Sequence, residues 1–491
     1  MTEIPHWLDK QAQLHPNAHA IESPDEVLTF RQLQELSQQI AGGLYKLGVQ
    51  EGDHIAILSG NHINFAAFIH AASYIGAIVV CLNTRLTEKE LQFQLRDAKV
   101  SQCFADNDNY MKGARALKEM SDAISITNVD EIPRVEKETY EQFKEFIDMD
   151  EIFTMMYTSG TTGNPKAVMH TYGNHWFSAV ASSLNLGLDT NDKWLACLPL
   201  FHVGGFSLLI KNVVYGMPIV LLERFDLHLV HKQIKNNQVT LISIVTVMLQ
   251  RMLKEKPLNY PSSFRGALLG GGPVPKTLLH EADSENLPVF QSYGLTETSS
   301  QIATLSPSDS FRKLGSAGKA LGPATLKVFK DGTPAPPNVV GEIHVKGPMV
   351  AKGYFGHPSV NDDYFATGDL GYLDEEGFLF VVDRVKDMLI SGGENVYPAE
   401  IESVLTQIKG VQEAGVTGTA HKEWGEVPIA FIVKSNLDEV TKEQVTAFCQ
   451  NRLASFKVPH TIHFVSELPR NASNKLVRRK LKDLIDGGGY E

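Results

Sequence analysis

The sequence predicts an α/β protein with a large N-terminal body and a small C-terminal α+β domain. Three observations carry that expectation. Apolar runs of strand length alternate with helix-period segments in the first third of the chain and again further on. After about Leu321 the texture shifts to short strands and Gly- or Pro-bearing turns. From Pro398 onward helices and strands alternate again. At 491 residues there is room for roughly two to four domains.

The elements follow in order. Phe30 to Leu47 carries apolar residues at helical spacing, and His54-Ile55-Ala56-Ile57-Leu58 reads as a buried strand. Phe65 to Ile75 reads as a helix and Ile78-Val79-Val80-Cys81-Leu82 as a second strand. Strand, helix and strand at this spacing predict parallel βαβ units. The alternation returns at Ile219 to Leu222, Thr240 to Val245 and Ala267 to Leu269. Gly341-Glu342-Ile343-His344-Val345-Lys346-Gly347-Pro348 belongs to a β-rich subdomain, and the junction to the C-terminal domain is expected near Asp383 to Asp387.

Composition excludes several classes. Hydrophobic residues make up 43% and charged residues 21%, an ordinary globular balance. The net charge of −12 argues against non-specific nucleic-acid binding. No run approaches the ~20 apolar residues of a membrane span. Met1 to Trp7 lacks the basic and apolar regions of a signal peptide. Cys81, Cys103, Cys197 and Cys449 are widely spaced, which fits inert thiols in a reducing cytoplasm. Any phosphate must therefore be held by a local site.

That site is expected at Tyr157-Thr158-Ser159-Gly160-Thr161-Thr162-Gly163-Asn164-Pro165-Lys166, after the apolar strand Ile152 to Tyr157. Glycines permit the positive φ values that turn backbone N–H groups onto an anion. Thr158, Ser159, Thr161 and Thr162 add hydroxyl donors, and Lys166 adds charge. No Gly-Lys-Ser/Thr closes the loop, so it is not of the Walker type.

Three further segments follow. In Gln291-Ser292-Tyr293-Gly294-Leu295-Thr296-Glu297-Thr298, preceded by Gly270-Gly271-Gly272-Pro273, a ring beside glycine can lie against a purine. Thr296 can donate to a phosphate, and Glu297 offers the oxygen ligand that Mg2+ prefers. Ala366-Thr367-Gly368-Asp369-Leu370-Gly371 places a carboxylate suited to ribose hydroxyls, which Arg384 in Val382-Asp383-Arg384-Val385-Lys386-Asp387 can reinforce. The tail Leu468-Pro469-Arg470-Asn471-Ala472-Ser473-Asn474-Lys475 is basic, and Arg478, Arg479, Lys480 and Lys482 follow it. Alone, each segment is an ordinary turn or a solvated basic helix. Their order and spacing carry the weight.

Together they resemble the acyl-adenylate-forming superfamily of acyl-CoA synthetases, luciferase-like enzymes and peptide-synthetase adenylation domains, from the N-terminus to about Lys482. The resemblance implies two α/β subdomains plus a β-barrel-like one over residues 1–384, hinged to a mobile domain over 385–491. It implies ATP, Mg2+ and coenzyme A. Thr158 to Lys166 would be the phosphate loop, and Gly270, Gly271, Gly272 with Gln291, Ser292, Tyr293 and Gly294 would frame the adenine. Thr296 would take the α-phosphate, Glu297 the Mg2+, and Asp369 and Arg384 the ribose. Lys386 falls at the hinge, and Lys475 matches the lysine that bridges the acid and the α-phosphate. Gly392 and Gly393 would line the pantetheine channel after a domain rotation. Two departures stand out: Ala167 follows Lys166, and Asn474 precedes Lys475, where glycine is usual.

The acid pocket is expected around His202, in Leu198-Pro199-Leu200-Phe201-His202-Val203-Gly204-Gly205, with Lys211 on the apolar helix that follows. Lys211 either snorkels to solvent or pairs with a second carboxylate of the substrate. Phe201-His202, Phe290 to Gly294, Ser299-Ser300-Gln301 and Arg470 to Lys475 are most similar to the ligases that activate 2-succinylbenzoate in menaquinone biosynthesis. Ser300 thereby joins the substrate site. The expected partners are a small carboxylic acid, ATP and CoA, without nucleic acid or integral membrane contact. A homo-oligomer is left open. The alternatives are a CoA ligase for another aromatic or medium-chain acid, an adenylation enzyme serving a carrier protein, or a non-catalytic nucleotide binder.

Overall fold

The structure, a computed structural model, describes residues 2–118, 120, 124–135, 143–158, 165–236, 238–254, 260–271, 274–310, 312–358, 363–391, 394–422, 424–435, 440–471 and 475–486.

Two mixed sheets form the body. One has seven strands, with Ser125–Asn128, Gln102–Ala105, His54–Leu58, Ile78–Cys81 and Ile152–Thr158 parallel, then Lys166–Thr171 and Gly353–Tyr354 antiparallel at the edge. The other has nine strands. Its parallel centre runs from Val289–Leu295 through Gly266–Gly270, Leu241–Val245, Trp194–Ala196 and Ile219–Leu221 to His19–Glu22. The expected βαβ pairing holds: His54 lies opposite Ile78 and Ile57 opposite Cys81 in parallel register.

Helices Ile63–Ile75 and Val203–Tyr215 are apolar around most of their circumference. A helix of that kind must be covered on every side. Both belong to one core cluster that joins Ile55, Val79 and Phe104 of the first sheet to Trp194, Ile219 and Leu241 of the second. They are the layer between the sheets. Outer helices cover the remaining faces in two separate clusters. Helix Phe30–Lys46 begins at a Thr29–Gln32 capping box, which satisfies two backbone N–H groups reciprocally.

The β-rich subdomain is a five-stranded antiparallel sheet containing Thr325–Lys330, Gly341–Lys346, Phe365–Leu373 and Leu379–Arg384. Val385 to Asp387 then turn the chain into Leu389–Ser391 of a second five-stranded sheet, which belongs to the C-terminal segment. Its own core is built around Ile401, Leu405, Val416, Ala430 and Ile432. A turn at Val385 to Asp387 thus lies between two sheets with separate cores.

Candidate active site

Strands Ile152–Thr158 and Lys166–Thr171 make an antiparallel hairpin with Thr158 opposite Lys166. The phosphate-loop candidate connects these two strands in the sequence. Ser159, Gly160, Thr161, Thr162 and Gly163 lie outside the described residues, as do Gly272, Gly392 and Gly393. Lys166 Nζ stands 5.2 Å from the centre of the Tyr354 ring. The Tyr354 hydroxyl donates to Glu297 Oε1 at 2.8 Å. One phenol therefore links the end of the loop to the acidic residue expected to meet Mg2+.

Thr296 and Glu297 open a single 3-10 turn after strand Val289–Leu295. The Ala351 N–H donates to the Glu297 carbonyl at 2.8 Å. Among the described residues no Lys or Arg nitrogen pairs with the Glu297 carboxylate, and no group of three or more His, Cys, Asp or Glu could hold a metal. A Mg2+ ion here would take Glu297 together with phosphate oxygens and water, its usual ligation beside a nucleotide.

Strand Val289–Leu295 carries the expected adenine frame. Gln291 pairs with Leu269, so Ser292 and Gly270 are neighbours; the Ser292 hydroxyl donates to the Leu269 carbonyl at 3.0 Å. Gly271 has φ +88°, a conformation that a side chain would strain. Gly294 runs against the backbone of Ser300, where a Cβ would lie 1.8 Å from the carbonyl oxygen. Gln291 is buried, and its Nε2 has no hydrogen-bond partner among the described residues. A buried amide donor beside a glycine-lined strand end fits a nucleobase.

Tyr293 donates its hydroxyl to Asp369 Oδ2 at 2.8 Å, and Arg384 Nε lies 3.1 Å from Asp369 Oδ1. Asp369 and Arg384 are cross-strand partners. Burial, then the Asp369 charge, holds the Tyr293 phenol protonated well above its ordinary range. A carboxylate gripped this way keeps lone pairs for two ribose hydroxyls.

Lys475 comes from the C-terminal segment and stands over this cleft. Its side chain touches solvent, yet protein surrounds it at longer range. That crowding, then Arg384, pushes its amine below the ordinary lysine range, while Asp369 and Glu297 pull it back. The Lys475 N–H donates to Asn471 Oδ1 at 2.8 Å. Lys386, on the junction turn, is exposed; partial desolvation comes first in lowering its amine, and it feels Arg384 and Asp369.

His202 ends the loop before helix Val203–Tyr215, and its Nε2 accepts from Asn83 Nδ2 at 3.4 Å. Burial, then the charges of Lys475 and Arg85, pushes His202 down to about 4, so the ring is neutral. The same Lys475 that senses Glu297 therefore senses His202. Lys211 does not snorkel: it is 1% exposed. Its Nζ donates to Gln301 Oε1 at 3.2 Å and lies 4.4 Å from the Trp194 ring centre. Burial alone pushes its amine down to about 7. Ser300 precedes Gln301 on strand Ser300–Leu305 and adopts φ +107°.

Sequence reasoning gave no role to Tyr354, Asn83 or Arg478, and it placed Gln301 in a motif without seeing its bond to Lys211. Arg478 lies in a 3-10 turn and bonds Glu402 Oε2 at 2.7 Å and Asp387 Oδ2 at 2.8 Å, with Asp383 Oδ1 at 3.4 Å. It is not part of a solvated basic helix. Its only sequence signal was the absence of acids beside it, which here reflects acids supplied by other elements.

Two family models match the chain: AMP-binding enzyme over residues 8–355, and AMP-binding enzyme C-terminal domain over residues 400–475. A 2-succinylbenzoate–CoA ligase of Oceanobacillus iheyensis is 51% identical over 486 residues, covering 97% of this chain and 98% of that one. An o-succinylbenzoate CoA synthetase from Bacillus subtilis, solved with the acyl-adenylate intermediate OSB-AMP, is 45% identical and superposes with TM-score 0.93, covering 98% of this chain and 99% of that one. The same enzyme solved with ATP and magnesium ion gives TM-score 0.92 at 45% identity, covering 98% and 100%. A double mutant of it bound with the product analogue OSB-NCoA gives 0.76 at 45% identity, covering 98% and 99%.

Proposed function

The chain belongs to the AMP-binding enzyme family, and from that premise we propose that it joins 2-succinylbenzoate to coenzyme A, releasing AMP and diphosphate, as a step of menaquinone biosynthesis. It is an AMP-forming acid–thiol ligase working with ATP, Mg2+ and CoA. The single observation that carries the residue assignment is Lys475, which couples at once to Glu297, Asp369 and Arg384 on the nucleotide side and to His202 on the acid side.

A carboxylate resists nucleophilic attack because its charge repels the nucleophile and oxide cannot leave. Bonding one of its oxygens to the ATP α-phosphorus, with departure of diphosphate, makes AMP the leaving group. Negative charge spreads over the α-phosphoryl oxygens during that transfer. Lys475 supplies a fixed cation there, and Thr296 a hydroxyl donor. Thr158, Ser159, Gly160, Thr161, Thr162, Gly163 and Lys166 are assigned to the departing phosphates. Mg2+, when bound through Glu297, offsets their charge. Asp369, held by Tyr293 and Arg384, takes the ribose; Gly270 to Gly272 with Gln291, Ser292 and Gly294 take the adenine.

The acid lies against neutral His202 and Ser300, with its second carboxylate directed to Lys211. The buried ammonium has a carbonyl-type acceptor and a π face as neighbours, and no carboxylate among the described residues. A buried charge without a counter-charge is costly, and a dicarboxylate supplies one. A benzoate or fatty acid does not.

Thiol attack on the acyl carbon then forms the C–S bond and frees AMP. We assign residues 1–384 to a body that binds ATP and acid, and 385–491 to a domain that turns about Lys386, withdrawing Lys475 and presenting Gly392 and Gly393 to the pantetheine arm. The junction turn and the two separate cores support a hinge. So does the fall from 0.93 to 0.76 between two structures of one relative that differ in bound ligand and sequence. No helix among the described residues is long and apolar enough to cross a membrane, and a cytoplasmic setting suits the cosubstrates. A panel of acids assayed for ATP- and CoA-dependent AMP release tests the substrate. 2-Succinylbenzoate should exceed benzoate, cinnamate and octanoate in kcat/KM by about four orders of magnitude, the scale of discrimination when a buried polar partner is left empty; equal rates would refute it.

A further inference from the structure

His170 is fully buried on strand Lys166–Thr171, four residues after the lysine that closes the phosphate loop. Its Nε2 lies 2.7 Å from the carbonyl oxygen of Thr296. Its Nδ1 lies 3.3 Å from Thr154 Oγ1, which lies 2.8 Å from His175 Nε2. A carbonyl only accepts, so Nε2 carries the proton. Burial pushes His170 down to about 4 and His175 well below its ordinary value, so both rings are neutral. Nδ1 is then bare and accepts from the Thr154 hydroxyl, whose oxygen accepts from His175 Nε2–H. Every polar atom in the run from His175 Nε2 to the Thr296 carbonyl has one consistent role.

A leucine-sized apolar side chain would fill the same space without two buried nitrogens to satisfy. The run ends on the peptide that joins Thr296 to Glu297. That peptide is planar, so fixing its oxygen fixes the orientation of both residues. The next peptide, from Glu297 to Thr298, is held in turn by Ala351 N–H on the Glu297 carbonyl. We propose that His170 is a positioning residue that sets the Thr296–Glu297 turn in register with the phosphate loop, oriented in turn by Thr154 and His175. The assignment rests on Thr296 as the α-phosphate contact.

The test is AMP binding by calorimetry without metal, together with steady-state KM for ATP and for the acid, on the full chain carrying His170→Leu, His170→Gln, Thr154→Val or Thr296→Val. Glutamine can place an amide N–H near the Nε2 position. His170→Leu should weaken AMP about tenfold and raise KM for ATP similarly, with KM for the acid unchanged, as expected for one lost buried hydrogen bond. His170→Gln should recover to within about threefold, and Thr154→Val should show a smaller loss of the same pattern. If His170→Leu does not fold, Thr154→Val and His170→Gln carry the comparison. AMP affinity at the parent level in His170→Leu, whatever its Tm, overturns the proposal, as does an equal rise in KM for ATP and acid. Should Thr296→Val bind AMP normally, the α-phosphate assignment fails first; weakening there with a normal His170→Leu sinks His170 alone.

Discussion

The Tyr293 hydroxyl donates to Asp369 Oδ2 while Arg384 Nε faces Asp369 Oδ1 from the adjacent strand. Both oxygens of one buried carboxylate are thus aimed before any ligand arrives. Such preorganisation lowers the ordering cost of binding. Tyr293→Phe deletes one bond and keeps the ring, so KM for ATP should rise about fivefold, the worth of roughly 1 kcal/mol. The KM for the acid should not move. Initial-rate kinetics varying each substrate separately checks this.

With Lys211 in the proposed acid pocket, use of the dicarboxylate should depend on pH. The lysine's folded-state pKa of about 7 lies below the ordinary 10.5. Between those values the unfolded chain binds the extra proton, so this group makes the unliganded protein more stable as pH rises. Binding of a second carboxylate needs the charged amine and goes the other way. KM for the dicarboxylate should climb roughly fivefold from pH 7 to pH 8, as the protonated fraction of the amine falls from about one half to about one eleventh. Lys211→Met should abolish that dependence and penalise the dicarboxylate far more than a monocarboxylate analogue. An unchanged selectivity ratio would remove Lys211 from the pocket.

Lys475→Ala should slow adenylate formation by about two to three orders of magnitude, the scale of a lost transition-state cation. Thioesterification of supplied acyl-adenylate should fall by less than about tenfold if the lysine has left the site by then. Single-turnover measurement of the two half-reactions decides. Equal loss in both contradicts the two-arrangement scheme.

Arg478 ties Glu402 of the C-terminal segment to Asp383 and Asp387 of the junction. Asp383 is buried, and burial raises its carboxyl against the pull of Arg478. Arg478→Met should lower Tm and slow adenylation about tenfold, since a buried carboxylate loses its partner. The thiol half-reaction should be the less affected of the two.

Much of this was legible from the chain alone because it rests on local signals. His54–Leu58 and Ile78–Cys81 are unbroken apolar strands, and their parallel register follows from the helix between them. Lys475, Glu297 and Asp369 were singled out by the order of their motifs, and the fold brings the three close enough for Lys475 to feel both carboxylates. Tyr354 was not: it stands on a two-residue edge strand, and only the antiparallel pairing of Gly353 with Met169 carries its hydroxyl to Glu297. Gln301 was read as part of a substrate motif, but its grip on Lys211 joins a strand to a helix ninety residues away in the sequence. Whether Lys211 reached solvent could not be read from periodicity, because a long amine on an apolar helix satisfies either outcome. Packing between the two sheets decided it.

The most direct test of carboxylate activation is ATP–diphosphate exchange with 2-succinylbenzoate in the absence of CoA. The account predicts exchange that depends on the acid, needs no thiol, and collapses in Lys475→Ala. Exchange that is absent until CoA is added, or that proceeds without the acid, would contradict it.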